Sequence, residues 1–453
     1  MTSEEIPNGF TGFASRKPQG FESASSAMAG HAGPEEGRAA GGRAPEGSFQ
    51  YARDHEQKDP ATLISPERLQ EIPATSRRWA WSEIDLSAIR HNAMTVKQHV
   101  GPGVRLMAVV KADGYGHGAV RCAKTALNSG ADYLGVATVQ EAIELREAQI
   151  GAPILVLSEP PMEAIPLLLG YKVMPSVYTT EFAIAYGEAA DSIGMRAPYH
   201  LAVNTGMNRI GVRYDEVVEF MSAVNFHRAL DLVGVFTHFA TADCEENLDF
   251  QLQAKRFIDA VNALRTAGID PGIVHAANSA AAIRYPAVHF DMVRLGIGLY
   301  GFHPCAQTRS MIELKPAMSV HARITDTRTV ATGEGVSYGL NYRSPGSVKI
   351  CTIPIGYGDG LSRALSGRCD VILDGQRCRQ VGNICMDQCM FEVDLRTYGT
   401  RPRLDPQIGD EVLLVGRQGD AAITIDELAS TLGTIQHEVS IGFGCSRMPR
   451  LYV

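Results

Sequence analysis

No apolar run in this 453-residue sequence approaches the ~20 residues that a membrane-spanning helix needs. Clusters of basic residues are missing too. Lys and Arg number 42 against 50 Asp and Glu, a formal net charge of −8, and this balance argues against nucleic acid as the main partner, because phosphate backbones are bound by grouped cations. The nine cysteines are an odd number and form no CxxC pair. Their tightest group, Cys378, Cys385 and Cys389, lacks the paired spacing of a zinc site, so no metal is expected. Reduced thiols in a cytoplasmic protein are the expectation. The opening MTSEEIPNGF has neither the basic nor the apolar region of a secretory leader, in line with that compartment. No GxGxxG follows the first strand-like run, which speaks against a dinucleotide fold.

What is present is globular. Hydrophobic content of 45% and charged content of 20% are those of a soluble protein, and the length suggests two or three domains. Residues 1–77 stand apart, rich in Gly, Ser, Ala, Pro and Glu, as in GHAGPEEGRAAGGRAPEGS (30–48). Such a segment buries too little apolar surface to offset its ordering entropy, so a disordered extension is expected there. In 85–100, Leu86, Ile89, Ala93, Val96 and Val100 form a helical stripe. Eight β-rich runs then alternate with helical stretches: RLMAVVK (105–111), YLGVAT (133–138), PILVLS (153–158), KVMPSVY (172–178), YHLAVN (199–204), LVGVFTHF (232–239), GIVHAAN (272–278) and MVRLGIGLY (292–300). That rhythm predicts an α/β fold, a (β/α)8 TIM-type barrel over 78–314. From 315 to 453 the pattern is strand after strand with one short helix at 423–433, which predicts a mainly β C-terminal domain, joined by the strand WAWSEI (79–84).

Barrel active sites lie at the carboxyl ends of the strands. Lys111 ends the first run, Arg209 lies beyond the fifth, His238 ends the sixth, Ser279 follows the seventh, and Arg294, Gly296 and Ile297 belong to the eighth. The loops after strands seven and eight commonly cradle phosphate, where Gly296 lets backbone amides approach an anion and Ser279 adds a hydroxyl. A lysine facing such a cradle suggests a Schiff base with a phosphorylated aldehyde, and pyridoxal 5'-phosphate fits.

AVVKADGYGHG (108–118) resembles the cofactor-lysine signature of alanine racemases, and the similarity runs from about Trp81 to Tyr452. NTGMNRIG (204–211), THFATAD (237–243), HAANSAA (275–281), MVRLGIGLYG (292–301), GVSYGLNY (335–342), IPIGYGDG (353–360) and GNICMDQCMFEVD (382–394) support it in order. The resemblance implies interconversion of L- and D-alanine, supplying D-alanine for cell-wall synthesis. Lys111 would hold the cofactor and act as one base. Tyr338 would be the other, reaching in from a second subunit of a homodimer. Tyr115, Ser279, Gly296 and Ile297 would hold the phosphate, His238 would support the ring, and Arg294 would face the pyridine nitrogen. Arg209 and the backbone of Met386 would bind the substrate carboxylate.

Three positions depart from the family's common pattern. Ala202 stands where many members carry a lysine, often carbamylated, and Asn204 where aspartate is usual; an anion such as chloride would fill the gap. His437 replaces a tyrosine that commonly touches the phosphate and narrows the pocket, which keeps serine and wider amino-acid ranges open as substrates. A decarboxylase of the same architecture would leave GVSYG without a purpose, and a single-barrel carrier of the cofactor would leave the whole β domain without one.

Overall fold

The computed structural model describes residues 73–394, 404–444 and 447–453, so the extension expected over 1–77 lies, as far as residue 72, outside the described residues. Ala74–Arg77 is a single helical turn. β1 (Ala80–Ile84) follows, and helix Leu86–Val100 starts where the Asp85 carboxylate accepts the backbone N–H groups of Ser87 and Ala88. That cap satisfies donors that a helix start leaves open. The buried face of this helix is Ala88, Ile89, Asn92, Ala93, Val96 and Val100, close to the stripe read in the sequence.

Eight parallel strands make the barrel: β2 (Arg105–Val109), β3 (Tyr133–Val136), β4 (Ile154–Val156), β5 (Met174–Val177), β6 (Ala197–Asn204), β8 (Leu230–Phe236), β9 (Ile273–His275) and β10 (Met292–Leu295), with β7 (Val212–Arg213) a two-residue addition to β6. Their order is β5-β4-β3-β2-β10-β9-β8-β6, and pairing of Ser176 with His200 and of Val177 with Leu201 closes the ring. Helices cover the outside and side chains fill the inside, so several strands are buried along nearly their whole length. Burial on both faces is why they read as continuous apolar runs instead of alternating ones. Met107, Leu155, Met174 and Met292 plug the interior. Met174 and Met292 open their strands, so the plug blocks the amino end and leaves the carboxyl end open.

The second domain is a mainly antiparallel sheet. β1 joins it from the far end of the chain, pairing antiparallel with Met318–Arg323 and parallel with Arg450–Tyr452. Asn92 ties helix Leu86–Val100 to the segment leaving the barrel: its amide donates to the carbonyls of Leu299 (3.0 Å) and Lys315 (2.8 Å) and accepts from Lys315 N (2.8 Å). The side chain is fully buried. Asn92→Ala would strip buried backbone groups of their partners, and a loss of about 2–3 kcal/mol is expected. Urea denaturation checks this; a midpoint that does not move would show that Asn92 adds nothing.

The end of the barrel and the C-terminal domain each depart from the sequence reading. The run 292–300 is strand only to Leu295, and Ile297–Tyr300 is a 3-10 turn. The C-terminal domain carries a second helix, Gln436–Gly444, beyond Ile425–Leu432. Its sequence, QHEVSIGFG, is a poor helix former, but the glycines permit close docking. A Cβ on Gly116 would stand 2.5 Å from Ser440 O, and one on Gly360 would stand 2.2 Å from the carbonyl of Gly442.

Candidate active site

At the carboxyl end of the barrel lies a cavity of about 610 Å³. Lys111, Tyr115, Arg209, His238, Ser279 and Arg294 all line it, together with Gly296 and Ile297. Eight of the ten residues to which the resemblance gives a role thus share one space.

Lys111 does not end its strand. β2 stops at Val109, and the chain enters a turn in which Ala112, Asp113, Gly114, Tyr115 and Gly116 all have φ between 50° and 84°. Left-handed backbone is unfavourable for residues bearing a Cβ, by about 1–3 kcal/mol each. Local bonds hold it here: Gly114 N donates to Val110 O (2.8 Å), Gly116 N to Ala112 O (3.0 Å) and Gly118 N to Asp113 O (2.8 Å). The Asp113 carboxylate accepts from Ala119 N (2.8 Å) and pairs with Arg450. The turn delivers Lys111 and Tyr115 to the same cavity. Burial lowers the pKa of the Lys111 amine, Arg209 and Arg294 lower it further, and Glu141 partly opposes them.

Arg294 is buried beneath the cavity and its guanidinium is densely bonded. It donates to the carbonyls of Thr237 (2.7 Å), Ala276 (3.0 Å) and His275 (3.3 Å), and to Nδ1 of His275 (3.0 Å) and of His238 (3.1 Å). Those bonds use its two terminal nitrogens, and Nε–H has no acceptor among the described residues. Burial, then the Arg209 charge, push its pKa down to about 9, which still leaves it a cation at neutral pH. A guanidinium can only donate. Each histidine nitrogen facing it is therefore an acceptor, so His238 carries its proton on Nε2. His275 likewise turns Nε2–H toward Nδ1 of His200 (2.9 Å). Burial, chiefly, keeps all three rings neutral, with His200 lowered to about 3.

Beside the Lys111 turn, at the end of the adjacent strand, the segment after β10 forms a small concavity. The Ser279 hydroxyl accepts from Gly296 N (3.0 Å) and Gly298 N (3.3 Å). A Cβ on Gly296 would lie 2.8 Å from the Tyr115 hydroxyl and 3.9 Å from that of Ser279. Glycine therefore keeps open a space toward which two hydroxyls converge. Tyr115 itself packs against Tyr300 (4.9 Å between rings) and His437 (5.5 Å).

At the fifth strand, Ala202 is buried in the cavity wall. Asn204 spends its carbonyl oxygen on Gly206 N and Asn208 N, both at 3.1 Å, shaping the loop that leads to Arg209. Arg209 is exposed at the rim and makes no hydrogen bond to another described residue.

Tyr338 and Met386 are elsewhere. Both belong to the C-terminal domain and neither lines the cavity of its own chain. Tyr338 is 74% exposed and Met386 52% exposed. The loops bearing them are tied together by Asn383 Nδ2, which donates to Tyr338 O (2.7 Å), and Gly358 N, from the turn at 357–359, donates to Met386 O (2.9 Å). His275, fully buried behind the cavity wall, escaped the sequence reading as a site residue, although it links His200 to Arg294. Glu141, beside the Lys111 turn, did have a visible signal: TVQE (138–141) is a capping box at a strand end.

Two family models match in tandem. The N-terminal domain of alanine racemase spans residues 84–304, and its C-terminal domain spans 317–452. The chain belongs to the alanine racemase family. It is accordingly an isomerase, a racemase of that family's barrel-plus-sheet architecture. Among curated relatives, alanine racemase of Synechocystis is 44% identical over 380 residues, covering 83% of this chain and all of that one. Among solved structures, alanine racemase from Bacillus anthracis, with bound L-Ala-P, superposes with a TM-score of 0.77 at 37% identity over 83% of this chain and 95% of its own. Histidine racemase from Leuconostoc mesenteroides matches with a TM-score of 0.74 at 30% identity, over 83% and 98% of the two chains. No helix among the described residues is long and apolar enough to cross a membrane.

Proposed function

We propose that this chain interconverts L- and D-alanine with pyridoxal 5'-phosphate, using Lys111 and Tyr338 as bases on opposite faces of the substrate. The observation that carries the reading is the single cavity that collects Lys111, the Ser279–Gly296–Tyr115 concavity and Arg294. The residues fit the group: a glycine-opened space between two hydroxyls suits a phosphate, and the Lys111 amine lines the same cavity. Ser279 and Tyr115, with the backbone at Gly296 and Ile297, would hold the phosphate. Lys111 Nζ would hold the aldehyde carbon, and Nε–H of Arg294 is the donor left over for the ring nitrogen. When bound, the group supplies an electron sink that acidifies the substrate Cα–H bond.

The protein residues do the rest. Burial and two cations favour the neutral Lys111 amine, the form able to take a proton. The Tyr338 hydroxyl gives or takes the proton on the other face. Arg294 would face the ring nitrogen with a hydrogen bond from a guanidinium that keeps its own proton, which would limit electron withdrawal and suppress side reactions. His238, neutral and anchored on Arg294, would support the ring. Arg209 and the Met386 N–H are assigned to the substrate carboxylate. Tyr338 and Met386, exposed on the sheet domain, are read as belonging to the site of a second copy, which makes the enzyme a homodimer with an isologous contact. The product is D-alanine for cell-wall synthesis, made in the cytoplasm.

The test is direct. Protein loaded with pyridoxal 5'-phosphate is given L-alanine, and D-alanine is measured with D-amino-acid oxidase in aliquots quenched over time. D-alanine accumulating to the equimolar mixture is expected. Comparison of kcat/KM for L-alanine, L-serine, L-lysine and L-histidine then fixes the substrate. A second reading, a wider substrate range, is favoured by His437 in the cavity wall and by the likeness to a histidine racemase. Preference for an amino acid other than alanine would replace the first reading with the second.

A further inference from the structure

Glu141 is a carboxylate that the proposed chemistry does not use, yet it grips the turn that carries Lys111. It sits in the first turn of helix Val139–Glu147, capped by Thr138. One oxygen accepts from Ala137 N (2.7 Å) and Thr138 N (3.2 Å), within its own segment. The other crosses to the end of the neighbouring strand and accepts from Ala112 N at 2.7 Å. A single side chain thus bridges the loops after β2 and β3.

The crossing bond falls at a sensitive place. Ala112 is the first of the residues in left-handed backbone, and Ala112, Asp113 and Tyr115 adopt it without being glycine. Such conformations persist only where the surroundings over-determine them. Because the peptide bond is planar, fixing the Ala112 N–H also fixes the Lys111 carbonyl and so the torsion about the Lys111 Cα. The direction in which the lysine leaves the backbone is set by that bond.

We propose that Glu141 is a positioning residue for Lys111: its carboxylate locks the left-handed turn that aims the amine into the cavity and supplies the negative charge facing that amine. This rests on the reading of Lys111 as the reacting group. The groups acting on Lys111 are the cations Arg209 and Arg294 and the anion Glu141, and the buried rings of His238 and His437 in turn feel its charge. Glu141 in turn acts on Tyr115, Tyr300 and Glu144. Burial and the arginines lower the Lys111 pKa while Glu141 raises it, so removing the carboxylate drives it lower still.

The sign of that change separates positioning from simple structural damage. Acetic anhydride labels neutral amines, and mass spectrometry of the full-length chain freed of cofactor gives the pH midpoint for Lys111. In Glu141→Gln the midpoint should fall by about one pH unit, and kcat of the loaded enzyme should fall at least about tenfold with KM nearly unchanged. Glu141→Asp, which keeps the charge but is too short to bridge, should hold the midpoint near the wild-type value while kcat stays low. A midpoint that stays put in Glu141→Gln overturns the proposal. So does one that rises toward the free-lysine value, since that means the turn has opened to water. If Lys111→Ala keeps activity, the reading of Lys111 falls instead, whatever Glu141 does.

Discussion

Lys111→Ala should abolish racemisation, with kcat down by at least about ten thousand-fold. Losing a positioned base alone accounts for about a hundred- to ten thousand-fold, and the same nitrogen is assigned the covalent hold on the cofactor. The substitution is structurally mild, because the left-handed backbone begins at Ala112 and position 111 itself needs no special conformation. Phosphate contacts from Ser279 and Tyr115 would remain, so the cofactor should still bind, but without attachment. Borohydride reduction followed by intact-mass measurement shows this: the adduct expected on the wild-type chain should be missing from the variant. Small primary amines added to the solution fit the cavity of about 610 Å³ and should restore part of the rate. A variant that retained both the adduct and turnover would place the chemistry on another residue.

The barrel was legible because strands covered on both faces must be apolar throughout, and runs such as PILVLS and MVRLG have no other sensible home. The rule that barrel sites gather at strand carboxyl ends places Lys111, His238, Ser279 and Arg294 together from sequence alone. What the residues could not show was local backbone. KADGY looks like a glycine-rich turn, but nothing in Ala112, Asp113 or Tyr115 announces positive φ; the outside contacts from Glu141 and Arg450 impose it. The segment after Leu295 read as more strand because GIGLY is apolar, whereas Gly296 and Gly298 turn their N–H groups onto Ser279 instead. Helix Gln436–Gly444 was hidden for a similar reason: its stability comes from glycine-to-glycine docking onto Gly116 and Gly360, not from propensity. Tertiary contact wrote these three features, and each of them borders the cavity or holds something that does.

Tyr338→Phe should cost about a hundred- to ten thousand-fold in kcat while leaving cofactor binding and stability alone. The ring is 74% exposed and its hydroxyl has no bond among the described residues of its own chain, so the folded subunit loses little that holds it together, and a change under about 0.5 kcal/mol is expected. A proton carrier that does nothing for its own fold is hard to place in a site that its chain does not reach. A second copy resolves this, and it makes a quantitative demand. Lys111→Ala and Tyr338→Phe subunits are each inactive alone. Unfolded together and refolded, they should form mixed dimers in which one site carries both lesions and the other carries neither. With random pairing, half the dimers are mixed and half of their sites are intact, so activity should return to about a quarter of wild type for an isologous pair. Mixtures that stay inactive, although mixed dimers are shown to form, would mean that Lys111 and Tyr338 serve the same chain's site. Full activity in a strictly monomeric protein would rule out the shared site altogether.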